Sequence, residues 1–200
     1  MLEGKDISYA RGFKPLFSGI SFALKEGETL AVKGPNGSGK STFLRLLAGL
    51  IRPPSHALFW KSEEIRSHNL NHYQQELLYV GHKLALHPEA LLKDQIRLWQ
   101  DMYRISGKSI EDGLETWGVA GFKEKKIAHL SHGQQKRVSL SRCSWQMRPL
   151  WILDEAQEGL DQAGKTIFFS ALTQHLQKGG SAVLATHDHV VVTKEIILHL

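Results

Sequence analysis

The 200-residue chain has a single cysteine, Cys143, so it cannot close a disulfide on itself. That usage fits a reducing compartment. Cys143 falls in a helical stretch and reads as core filling rather than as a reactive thiol. No apolar run approaches the ~20 residues that span a bilayer, and the opening Met-Leu-Glu-Gly-Lys-Asp lacks the apolar stretch of a secretory signal. Any membrane role must therefore come through a partner. Internal repeats and low-complexity segments are missing too, which excludes a solenoid or a linker-rich chain. Basic residues do not run together. The net charge of +5 and the pI near 9.3 suit nucleotide phosphate, an anionic surface or an ordinary solvated exterior. Their dispersion argues against a nucleic-acid stripe, and no nucleic acid is expected as a partner.

What is present is an ordinary globular composition, 42% hydrophobic and 22% charged, enough for one domain or a domain with a small lobe. One stretch stands out: Gly34-Pro35-Asn36-Gly37-Ser38-Gly39-Lys40-Ser41 reads G-x-x-x-x-G-K-S, the phosphate-binding P-loop pattern. Residues 28–33 before it are β-prone, and Thr42–Ala48 after it are helix formers stopped by Gly49. The motif therefore lies between a strand and a helix N-terminus, where backbone N–H groups and the helix dipole face an anion. Gly34 to Thr42 are the expected nucleotide contacts. Lys40 reaches the β- and γ-phosphates, and the Ser41 hydroxyl ligates Mg²⁺.

Along the chain, 2–9 and 17–24 alternate as strands, with a turn at Gly27. Tyr9 ends the first of them, where an aromatic either stacks on a base or closes the strand half-buried. Arg52-Pro53-Pro54 cannot be helix, and 57–60 resumes a strand. His68 and His72 stand four apart in a polar stretch; helical, they could pair on a metal, but exposed loop histidines fit the missing apolar face better. A short strand at 77–81 precedes helical spacing at Leu91, Leu92, Gln95, Ile96, Leu98, Trp99, Met102 and Tyr103, then a second helix over 109–117. This predicts a helical lobe over about 84–126 inserted in a core of about 1–83 and 127–200, with Trp99 and Trp117 in the lobe core. Ser131 caps a helix running to about Met147. Leu150–Leu153 is a buried parallel strand ending in Asp154-Glu155. A helix over 162–178 stops at Gly179-Gly180, and the strand 181–186 ends in His187. Strands alternating with helices, with polar groups at strand C-termini, indicate a parallel α/β sheet with its ligand at that edge.

The P-loop, the signature Leu130-Ser131-His132-Gly133-Gln134, the strand ending in Asp154-Glu155 and the strand ending in His187 follow in order. This set resembles the ATP-binding cassette (ABC) ATPases over about residues 2–195; the family signature is L-S-G-G-Q. The resemblance implies a P-loop NTPase core with a parallel sheet, an N-terminal antiparallel β subdomain and an inserted helical lobe. It implies ATP and Mg²⁺ as cofactors, Asp154 and Ser41 as metal ligands, and Lys40, Glu155 and His187 as catalytic residues. Glu155 polarises the attacking water, and His187 orients it. Ser131, Gly133 and Gln134 meet the γ-phosphate of a nucleotide held by a second subunit, giving a head-to-tail homodimer with two sandwiched ATPs. Asp161 lines that dimer contact.

Within the family, residues 16–22, 43–50, 79–83, 121–122, 130–137 and 150–155 resemble the ATP-binding subunits of cytochrome c biogenesis described as haem exporters. That implies integral membrane partners at the cytoplasmic face of the inner membrane, bacterial or organellar, and a transport-coupled ATPase. Other readings are a different small-molecule transporter, an ABC ATPase of translation or repair, or an adaptor that no longer hydrolyses. Four residues depart from the pattern: Lys83 where the loop usually carries Gln, His132 for a signature Gly, Ala156 where Pro commonly follows the Glu, and His56 where Gly is common. Slow but real hydrolysis is expected.

Overall fold

Alternation of apolar and polar residues builds the first two strands. β1 (Leu2–Arg11) and β2 (Lys14–Leu24) pair antiparallel, with Leu2, Ile7, Phe17 and Leu24 buried on one face. After a turn at Gly27 comes β3 (Thr29–Lys33), then the P-loop and helix α1 (Lys40–Leu47). β4 (Leu58–Trp60) and β5 (Glu63–Glu64) extend the antiparallel sheet in the order β2-β1-β4-β5. A six-residue helix, α2 (Leu70–Gln75), leads into β6 (Leu77–Val80). The computed structural model describes residues 1–186 and 194–200; His187 lies outside the described residues. They form two compact units, 1–81 with 148–155 and 172–200, and 82–147 with 156–171. The second is larger than an insert over 84–126, because the signature helix and the segment after Glu155 go with it.

The second unit holds α3 (Leu92–Tyr103), α4 (Gly107–Thr116), α5 (His132–Leu140) and α6 (Arg142–Trp145). Trp99 packs on Trp145 with ring centroids 5.3 Å apart, and Trp117, fully buried, donates from Nε1 to Ser144 Oγ at 3.0 Å. The single helix expected over 131–147 is instead two. At the junction the Ser141 hydroxyl donates to the Val138 carbonyl and Arg142 Nε to the Ser139 carbonyl, competing for acceptors that a continuous helix uses. Cys143 is buried there, and burial pushes its thiol up to about 12, so it is unreactive filling.

β7 (Leu150–Asp154), the long helix α7 (Gln162–Gln177), β8 (Ser181–Ala185) and β9 (Glu195–His199) complete the chain. The five-stranded sheet runs β6-β7-β8-β3-β9, every pair parallel. β7 and β8 are buried at every residue, as strands covered on both faces must be. Phe43, Leu44, Leu46 and Leu47 of α1 are fully buried, contributing roughly 1.5–3 kcal/mol apiece. α1 packs against β7 and β8, and its N-terminus follows the loop that leaves the C-terminal end of β3.

Candidate functional site

Register brings the parts of the first unit together. Asp154 pairs with Ala185, and Ala185 with Val32, so the end of β7 stands level with the end of β3, two residues before the P-loop. With one strand between them the two ends are ~10 Å apart. The strand-end acid and the phosphate loop thus share one edge, as the alternation of the sequence predicts.

The P-loop is shaped by what its glycines admit. Gly39 caps α1 in left-handed backbone (φ 108), and a Cβ there would press within 3.2 Å of the Phe17 ring. A Cβ on Gly34 would lie 2.7 Å from both the Leu200 carbonyl oxygen and Ser38 Oγ. Pro35, Asn36 and Gly37 form an exposed crest, while Lys40 is buried. Its Nζ donates to the carbonyls of Gly34 (2.8 Å) and Pro35 (3.2 Å), so the ammonium is held inside the curve of the loop. Ser41 and Thr42 occupy the first turn of α1, half-buried. Beneath the loop, Phe17 stands edge-on to Phe43 at 5.4 Å and stacks with Tyr9 at 6.0 Å. Tyr9 is half-buried on that cluster.

Asp154 is fully buried. Its charge is felt by Tyr79, whose hydroxyl pKa is raised first by burial and further by Asp154. Glu155 continues the ladder by one bond, its N–H donating to the Ala185 carbonyl at 3.1 Å, and then turns sharply at φ 51. A non-glycine residue in that conformation costs ~1–2 kcal/mol, a strain concentrated at functional sites.

In the second unit, Ser131 caps α5 in a reciprocal box. Ser131 Oγ accepts from the Gln134 N–H (3.2 Å), and Gln134 Oε1 accepts from the Ser131 N–H (2.9 Å). The Gln134 side chain is thereby engaged in holding the helix end. Gln135 Nε2 donates to the carbonyls of Ile127 and Leu130. Arg137 forms an ion pair with Asp161, whose Oδ1 also accepts from the Gly164 N–H at 2.9 Å. Arg137 first, and that N–H second, hold the Asp161 carboxyl below its usual range. A cavity of about 430 Å³ opens here, lined by Ser131, Gly133, Gln134, Arg137, Gly159 and Asp161. Arg137 and Gly159 are not predicted as site residues from the sequence; the four-residue step from Gly133 to Arg137 along one helix face is the signal for the first. Lys83 is exposed in this unit, and the signature residue His132 is exposed on the first turn of α5.

A P-loop at the edge of a parallel sheet, a buried strand-end Asp followed by Glu, and a capped signature helix define a P-loop ATPase of the ABC class. The family model described as "ABC transporter" matches residues 17–158, and the chain belongs to that family: it binds ATP and is an ATPase coupled to transport. Curated relatives match most of the chain. The chain is 35% identical over 189 residues to the cytochrome c biogenesis ATP-binding export protein CcmA of Cupriavidus pinatubonensis, covering 94% of this chain and 83% of that protein. It is 36% identical over 192 residues to CcmA of Dechloromonas aromatica, covering 95% and 94%. An ATP-binding subunit of an ABC transporter superposes with a TM-score of 0.85 at 25% identity, over 100% of this chain and 86% of the other. A dimeric ATP-binding cassette in a post-hydrolysis state, bound to ADP and Pi, shares the fold with a TM-score of 0.85 at 24% identity, over 100% and 94%. Among the described residues no helix is long and apolar enough to cross a membrane.

Proposed function

We propose that the chain is the ATP-hydrolysing subunit of a membrane complex that exports or releases haem for c-type cytochrome assembly. The observation that carries this reading is the likeness to CcmA over 94% of the chain. The protein works as a homodimer, docked on integral membrane subunits at the cytoplasmic face of the inner membrane. Two copies sandwich two nucleotides, each between one copy's P-loop and the other's signature helix.

In this reading the exposed crest of the P-loop wraps the phosphates with backbone N–H groups, and Lys40 turns from the loop carbonyls to the β- and γ-phosphates. Tyr9 takes the base. A hydroxyl on the first turn of α1 and a buried carboxylate at the end of β7 are hard oxygen donors that suit Mg²⁺. Ser41 and Asp154 would hold the ion, which neutralises phosphate charge when bound. Glu155 orients and polarises the attacking water, and His187 assists. Ser131, Gly133 and Gln134 present the N-terminus of α5 to the γ-phosphate bound by the other copy. Lys83, a cation where a neutral ligand is usual, loosens the coupling of Mg²⁺ to the lobe and keeps turnover slow.

The test is the ATPase rate of the purified chain against Glu155→Gln. Loss of a group that polarises water lowers turnover by roughly 10²-fold or more; equal rates would refute the assignment. Pull-down from a detergent extract addresses the partners. Haem-handling integral membrane proteins are expected, whereas ribosomes, DNA or an unrelated permease would overturn the haem reading.

A further inference from the structure

The first turn of α5 and the turn at Gly159 are interlocked. Gly159 stands at φ +73, and a Cβ there would lie 3.1 Å from His132 Nδ1 and 3.3 Å from its Cε1. On the other side, a Cβ on Gly133 would lie 3.2 Å from the Gly159 carbonyl oxygen. The Nδ1–Cε1 edge of the imidazole therefore covers the Gly159 Cα, while the Gly159 carbonyl rests against Gly133. Two residues on, Asp161 is held by Arg137 from the next turn of α5. The segment 156–161 is thus fastened to α5 twice, at 159 by His132 and at 161 by Arg137, and it leaves directly from Glu155.

We propose that His132 is a positioning residue: its ring clamps the Gly159 turn against the N-terminus of α5, so that the segment leaving Glu155 and the phosphate-facing helix end move as one body. A glycine turn has many accessible conformations, and a ring laid over one face removes some of them. With glycine at 132 that face would be open. The side chain that replaces the signature glycine lies against Gly159. The ring is exposed, so the core does not depend on it. The inference rests on the proposed role of Glu155.

The experiment compares the full-length wild type with His132→Gly, His132→Phe and Glu155→Gln. It reads amide hydrogen exchange over residues 157–161, melting temperature, and kcat and KM for ATP separately. In His132→Gly, exchange at Gly159 and Leu160 should rise about fivefold or more, with melting unchanged. kcat should fall roughly five- to tenfold while KM stays within about twofold. His132→Phe, which keeps a ring on Gly159, should restore both. Unchanged exchange, a higher kcat in His132→Gly, an effect confined to KM, or a melting loss that accounts for the exchange would each overturn the clamp. If Glu155→Gln hydrolyses like the wild type, the role of Glu155 fails, while the exchange data still report on the clamp itself.

Discussion

At the scale of single residues, Gly34 is where the P-loop has least room. A methyl group there meets the Leu200 carbonyl oxygen and Ser38 Oγ, each at 2.7 Å. One of these contacts belongs to β9's end, where the Leu200 N–H donates to the Lys33 carbonyl at 2.9 Å, and the other is a side chain inside the loop itself. Gly34→Ala should therefore cost ~1–3 kcal/mol in denaturant unfolding and weaken nucleotide binding in parallel. His56 is a departure that the fold explains. It stands at φ 61, where glycine is common, and Glu64 secures it by accepting its N–H at 2.7 Å and its ring Nδ1 at 3.1 Å. Arg66 first, and the His56 N–H second, bring the Glu64 carboxyl down to about 2. The motif residues were legible because their chemistry dictates type and spacing. The role of the His132 ring was not, since its partner Gly159 lies 27 positions away and glycine carries no pattern.

At the scale of elements, the end of α7 is anchored by His175. Its ring stacks on Trp151 of β7 (3.9 Å between centroids, 7° between planes), and Nε2–H donates to the Ser181 carbonyl at 3.1 Å. Burial lowers its pKa, so the fold favours the neutral ring. The unfolded chain takes up its proton near pH 6.5, so this contribution is complete above that pH and is lost as pH falls below it. Melting temperature should decline between pH 7 and 5, and His175→Phe should flatten that slope. Long elements with clear periodicity, such as β7 and α3, could be read from the sequence. α2 could not, because six residues with only Tyr73 buried carry no stripe; a tertiary bond from the Tyr73 hydroxyl to the Leu47 carbonyl (2.5 Å) stands in for one. β9 is harder to read: it is an edge strand paired to β3 alone, its residues are half-buried or exposed, and Glu-Ile-Ile-Leu-His lacks the all-apolar run that marks β8.

At the scale of the whole molecule, nucleotide is a structural component as much as a fuel. A ligand that binds only the folded chain stabilises it by ~2.7 kcal/mol at a hundred times its dissociation constant. ATP should therefore raise the melting temperature, and Lys40→Ala, which removes the buried ammonium between the Gly34 and Pro35 carbonyls, should abolish the rise. The level alignment of Val32, Ala185 and Asp154 has a kinetic consequence. These three residues come from the start, the end and the last third of the chain, and a slip of one residue in β7 would turn the Asp154 side chain to the opposite face of the sheet. Pairings so distant in sequence close late in folding. In the proposed site, ATP with Mg²⁺ should therefore stabilise only chains whose sheet is complete, with Asp154 beside the P-loop. A chain with β7 misregistered would lack the Asp154 carboxylate beside the loop and should gain no such stabilisation from ATP.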